Sequence, residues 1–112
     1  MKQLRHPEAG EITLEGVLGA LSDPVRLQIV ATLAGSGAER PWGDFDVEVC
    51  SSTLSHHMKA LRLAGVIVHR KEGTRCFVSL RPELEDAFPG LLGCILKFAG
   101  DRVAERQSAP SR

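Results

Sequence analysis

Residues 51–65 read SSTLSHHMKALRLAG, and the fold turns on what this stretch is for. Leu54, Met58 and Leu61 fall at i, i+4 and i+7, one apolar stripe of a helix facing a core. Ser51 or Ser52 is placed to cap the helix start, where orphan amides need an acceptor, and Gly65 to end it in a left-handed turn. Thr53, Ser55, His56, Lys59 and Arg62 are left largely on the other faces. Hydroxyls, imidazoles and cations so grouped suggest a metal site, a catalytic site or contact with a polyanion.

Spacing argues against the first two. Neighbouring helix residues project about 100° apart, so His56 and His57 cannot close on one ion. Positions four away hold Ser52, Thr53, Ala60 and Leu61, none a useful zinc ligand. For catalysis, the stretch has no GxSxG elbow and no carboxylate to orient a base, so the chain is not expected to be an enzyme. The third reading fits. Hydroxyls and amides at a helix start hold phosphate oxygens, and the side chains behind them reach base edges in the major groove.

The flanking sequence supplies the rest. TLEGVLGAL (13–21) puts Leu14, Val17, Leu18 and Leu21 at helical spacing. In SDPVRLQIVATLAGSG (22–37) Asp23 can cap a helix, Pro24 fits its first turn and Gly35 or Gly37 can end it, with Leu27, Val30, Ala31, Leu33 and Ala34 as its apolar side. AERPWGDFDVEVC (38–50) reads as a loop with at most a short helix, and Trp42 in it as a core anchor. Two β-rich runs, 66–71 and 75–80, flank Glu72, Gly73 and Thr74 and predict a hairpin, with Cys76, Val78 and Leu80 on one face and Arg75, Phe77 and Ser79 on the other. Pro82 fits a further helix start, and Pro89 should kink or divide that helix. Leu91, Leu92, Ile95, Leu96, Phe98 and Ala99 make its second half more apolar than a lone terminal helix would present to water.

The fold class is therefore mainly α with a small β-hairpin wing, a winged helix-turn-helix: an N-terminal arm (1–12), one domain (13–100) and a flexible C-terminal tail (101–112). Formal net charge is zero over 112 residues, but 51–81 carries Lys59, Arg62, Arg70, Lys71, Arg75 and Arg81 against Glu72 alone. The stretch 38–50 is the reverse, with Glu39, Asp44, Asp46 and Glu48 against Arg40. Three widely spaced cysteines with no CxxC pair fit a reducing cytoplasm, and no apolar run approaches the roughly 18 residues that span a bilayer.

ALSDPVRLQIVATLA (20–34), STLSHHMKALRLAGVI (52–67) and HRKEGTRCFVSL (69–80) together resemble the ArsR/SmtB family of bacterial winged-helix repressors, in the right order over 13–100. The resemblance implies a dimer through the first and last helices and repression of an adjacent operon, relieved by a metal ion, metalloid or other signal. Two departures matter. Members that sense soft metals before the recognition helix carry a stretch like CVCDL, where this chain has RPWGDFDVEV (40–49). Members that sense zinc on the last helix use histidines there, where this chain has only Glu83, Glu85 and Asp86. No metal and no cofactor is expected.

The expected partners are a second copy of the chain and a pseudo-palindromic double-stranded DNA operator with half-sites about one helical turn apart. Ser52, Thr53, Ser55, His56 and Lys59 are expected to read DNA, and Arg70, Lys71 and Arg75 to grip its backbone phosphates. Leu14, Val17, Leu18 and Leu21 are expected to pack with Leu91, Leu92, Ile95 and Phe98 in the dimer. His57 is expected to be half-buried with a satisfied hydrogen bond, Cys76 a packed thiol and Cys94 in the core or dimer seam. Cys50, just before the recognition helix, is the candidate thiol sensor, because a helix dipole favours the thiolate there. The competing class is a winged helix that binds a protein instead of DNA, favoured by the acidic 39–48 segment.

Overall fold

The computed structural model describes residues 5–43, 45 and 49–108, with the backbone alone described over 100–108. A 3-10 turn (Ala9–Glu11) leads into α1 (Leu14–Ala20), α2 (Pro24–Ser36), a short β1 (Arg40–Pro41), α3 (Ser51–Leu63), β2 (Ile67–Glu72), β3 (Arg75–Leu80), α4 (Pro82–Ala87) and α5 (Leu91–Ser108). The strands form one antiparallel sheet in the order β1-β3-β2. Among the described residues no single helix is long and apolar enough to cross a membrane.

Local chemistry explains most boundaries. Thr13 Oγ1 accepts from the Gly16 amide at 3.0 Å and starts α1. Asp23 Oδ1 accepts from Val25 at 2.8 Å and Arg26 at 3.2 Å, Pro24 fills the first turn of α2, and left-handed Gly37 closes it. Pro82 opens α4, and Pro89 falls in the break before α5, where Glu85 accepts from the Gly90 amide at 2.9 Å. In the hairpin Glu72 pairs with Arg75, so the turn itself is the two residues Gly73 and Thr74.

The core lies between α2, α3 and the sheet. Ile29, Leu33, Met58, Leu61, Ile67, Val17, Val30, Val66 and Val78 are almost wholly buried. Each such side chain contributes about 1.5–3 kcal/mol of transfer free energy. Leu54 packs on this core and completes the expected stripe.

Several expectations are corrected. Val17 and Leu21 are buried in the protomer's own core, so of the four leucine and valine positions expected at the dimer from residues 13–21 only Leu14 and Leu18 are exposed. Leu91, Leu92 and Ile95 are half-buried against the same core, while Phe98 is 62% exposed. Ile29, not among the residues read as apolar face, is at the centre of α2's buried side, and Ala34 is exposed. Neither Ser51 nor Ser52 caps α3; Cys50 holds the cap position. Residues 40–41 are a strand, because Arg40 and Pro41 pair with Val78 and Phe77. Asp44, Asp46 and Glu48 lie outside the described residues.

The ends differ as well. Of the segment read as an arm, Pro7 and Ile12 are buried on the body. Gly65, at φ 86°, lies so close to Ile12 that a Cβ there would stand 2.5 Å from Ile12 Cγ1. The last helix continues to Ser108, through eight of the residues read as a flexible tail.

Candidate nucleic-acid interface

The buried stripe of α3 determines what its other side presents. With Met58 and Leu61 inward, Ser52, Ser55, His56 and Lys59 are exposed and Thr53 half-exposed. His57 is 8% exposed, its Nδ1 3.3 Å from Arg26 and 4.0 Å from the Asp23 carboxylate. Arg26 donates through Nε to the Ala20 carbonyl at 2.6 Å. The ALSDPVR stretch thus ties α1, α2 and the recognition helix together, which is the satisfied role expected of His57. Burial opposes the Asp23 carboxylate, but the amides of Arg26 and Val25 outweigh it and hold its pKa below the usual value.

Cys50 is exposed at the start of α3, with Sγ 3.3 Å from the Ser52 hydroxyl and 3.2 Å from that of Thr53. Those two hydroxyls stabilise the thiolate and lower the thiol pKa to about 7. Of the other cysteines, Cys76 is half-buried as a packed thiol would be, whereas Cys94 is exposed in the single chain.

The wing changes the expected roles. Lys71 and Arg75 are exposed. Arg70 is already engaged: Nε and Nη2 donate to the two Glu39 oxygens at 2.9 and 2.8 Å, and Nη1 donates to Glu72 at 3.3 Å. Both Arg70 and Arg75 stand over the Phe77 ring, at 4.7 and 5.0 Å. Glu39 is held below its ordinary pKa by the Arg70 hydrogen bonds, and Arg70 is raised above its own. Arg62, expected on an outer face, is instead 9% exposed, donating from Nε to the Arg5 carbonyl at 2.8 Å and from Nη1 towards His69 Nδ1 at 3.4 Å.

Between α3 and the wing runs a groove of about 520 Å³, lined by Ser55, Lys59, Lys71 and Thr74 together with Trp42 and His69. Sequence reasoning missed Glu39, Trp42, Arg62 and His69 here. Trp42 is fixed by its amide bond to the Cys76 carbonyl at 2.8 Å, a pairing with no local signal. For His69 a signal existed, since alternation places it on the same strand face as buried Ile67.

The surface can therefore place hydroxyls, an imidazole and lysine and arginine cations along one helix and an adjoining hairpin. Known proteins share the fold. No protein-family model matches the sequence. A Bacillus subtilis HTH-type transcriptional regulator, YceK, is 38% identical over 79 residues, 68% of this chain and 79% of its own. A solution structure of the homodimeric winged helix-turn-helix DNA-binding domain of Mycobacterium bovis Mb0332, a possible ArsR-family regulator, superposes with a TM-score of 0.62 at 25% identity, covering 88% of this chain and 87% of that one. The chain belongs to the ArsR-type winged helix-turn-helix transcriptional regulators. A crystal structure of the regulator HlyU from Vibrio vulnificus, also 25% identical, gives a TM-score of 0.58 over 78% of this ArsR-type chain and 83% of its own.

Proposed function

We propose that this ArsR-type regulator is a homodimeric, cytoplasmic repressor that binds a pseudo-palindromic operator of a nearby operon. The observation that carries the reading is the exposed face of α3, with Ser52, Thr53, Ser55, His56 and Lys59 opposite a buried Met58–Leu61 stripe and beside the wing cations Lys71 and Arg75. Hydroxyl and imidazole groups supply base-edge contacts, and the wing cations supply salt-dependent phosphate contacts. Leu14, Leu18 and Phe98, at 42, 45 and 62% exposure, support burial of α1 and α5 against a second copy. The protein-binding alternative loses part of its basis, since Glu39 is neutralised by Arg70.

The test is binding to the DNA upstream of the chain's own coding sequence against random duplex, at two salt concentrations, with hydrodynamic mass measured alongside. A dimer that prefers the upstream site and weakens with salt is expected. No preference at either salt refutes operator recognition, and a monomer at micromolar concentration refutes the interface. Cys50 is the proposed point of entry for an oxidising or thiol-reactive signal, since its exposed sulfur abuts Ser52 and Thr53 of the reading face.

A further inference from the structure

The described N-terminal segment, residues 5–12, lies across the elbow where the recognition helix gives way to the wing, held at three points. Arg62, in the last turn of α3, donates through Nε to the Arg5 carbonyl at 2.8 Å. Ile12 is buried against Gly65, the left-handed turn between α3 and β2. The backbone amide of His69, on β2, donates to Nε2 of His6 at 3.0 Å. Arg62 Nη1 also lies 3.4 Å from His69 Nδ1, so Arg5, Arg62, His69 and His6 close a circuit that joins segment, helix and wing.

Neither polar contact is incidental. Arg62 is 9% exposed, and among the described residues no carboxylate pairs with it. A buried guanidinium needs acceptors, and the Arg5 carbonyl is one of its two among the described residues. β2 is an edge of the described sheet, where amides turned outward lack a strand partner, and the His6 ring accepts from the His69 amide there. Pro7, next in the chain, is buried and anchors the segment.

We propose that residues 5–12 form a strap that fixes the angle between recognition helix and wing, and that His6 is a positioning residue for operator binding. It acts through His69 and Arg62 and not by contact with DNA. The exposed face of α3 must meet base edges while Lys71 and Arg75 meet phosphates, and one angle serves both. Without the His6 acceptor the wing edge is released, and the competent arrangement becomes one of several. Apparent affinity falls with the fraction of molecules so arranged; a fraction of about one third in each protomer lowers a dimer's affinity about tenfold. The phosphate contacts finally made are the same, so the salt dependence is kept. The proposal rests on the DNA-binding reading.

The test uses the full chain and three variants. His6→Ala removes the ring, His6→Phe keeps a ring without an acceptor, and His6→Gln puts an amide oxygen as many bonds from Cα as Nε2. Each is titrated against the upstream DNA by anisotropy at several salt concentrations, with Lys71→Gln as the reference for a lost phosphate contact. Urea denaturation checks that each is folded, and His6→Ala carries the comparison if His6→Phe is not. His6→Ala and His6→Phe should bind about tenfold more weakly at an unchanged salt slope, and His6→Gln should return to within about twofold of the wild type. Without DNA, exchange of the His69 amide should quicken at least about tenfold in His6→Ala and slow again in His6→Gln. Wild-type affinity or His69 exchange in His6→Ala, equal weakening in His6→Gln, or a slope flattened as in Lys71→Gln would each overturn the strap. A wild type with no preference for the upstream DNA overturns the operator reading itself, whereas failure of the strap leaves wild-type binding intact, so the two failures are told apart.

Discussion

Arg70 was expected to hold a phosphate, but Glu39 already holds it. Two bonds of 2.8 and 2.9 Å to one carboxylate, plus Glu72 at 3.3 Å, occupy the guanidinium, which also stands 4.7 Å over the Phe77 ring. A phosphate reaching Arg70 must displace a carboxylate of like charge, so the residue adds little to DNA binding while Glu39 is present. The perturbation is Glu39→Ala, crossed with Arg70→Ala, and Arg75→Ala serves as reference. Each phosphate contact contributes about 0.9 to the slope of log affinity against log salt, so one contact makes affinity fall about threefold further over a fourfold rise in salt. Arg75→Ala, carried by both protomers, should remove two such steps. Arg70→Ala in the wild type should leave the slope nearly unchanged. Glu39→Ala, carried by both protomers, should steepen it by about two, and Arg70→Ala in that background should take both steps away again. Filter binding or anisotropy at four or five salt concentrations reads the slopes. If Arg70→Ala alone flattens the wild-type slope as much as Arg75→Ala does, the Glu39 pairing does not hold Arg70 off the DNA and the reasoning fails.

Three further outcomes follow from individual contacts. Gly65→Ala combines a left-handed backbone, costing about 1–2 kcal/mol for a residue with a Cβ, with displacement of buried Ile12 from 2.5 Å away; urea denaturation should show a loss of about 3 kcal/mol in total, and a loss below about 1 kcal/mol would mean that this turn relaxes freely. His69 binds its proton less tightly folded, at about 4, than at its ordinary 6.5, so its stabilisation is complete above the higher value and drains away as pH falls towards the lower, by about 3 kcal/mol; stability measured from pH 7 to 4 should lose this slope in His69→Phe, and an unchanged slope contradicts the assignment. Alkylation of Cys50 by iodoacetamide should reach half its maximal rate near pH 7 and weaken operator binding, with Cys50→Ser unaffected; a midpoint near the ordinary value of 9.0 would remove the hydroxyl effect of Ser52 and Thr53.

What was legible in the sequence was what neighbours in the chain decide. Asp23 and Pro24 mark the start of α2 by their own bonds, Met58 and Leu61 mark the inner face of α3 by period, and Pro89 marks the break before α5. Leu14, Val17, Leu18 and Leu21 share one apolar arc; only packing divides it into Val17 and Leu21 inside and Leu14 and Leu18 outside. Charge misled more than hydrophobicity. Arg62 stands four residues after Met58, on the stripe by spacing, and was read as an outer cation because of its charge. Arg70 and Glu39 meet across 31 positions of sequence, and no local pattern announces that pairing. Arg81 is a third case, its side chain 9% exposed and bonded to Glu83 at 3.2 Å. The basic segment 51–81 therefore has six cations by composition, but Arg62, Arg70 and Arg81 are engaged within the protein, so the proposed phosphate contacts fall to Lys59, Lys71 and Arg75. For a dimer that difference is measurable. Six available cations give a salt slope of about −5, whereas the composition alone would give about −11. A slope near the larger value would show that the internal partners of these arginines yield to DNA, and that composition was the better guide to the interface.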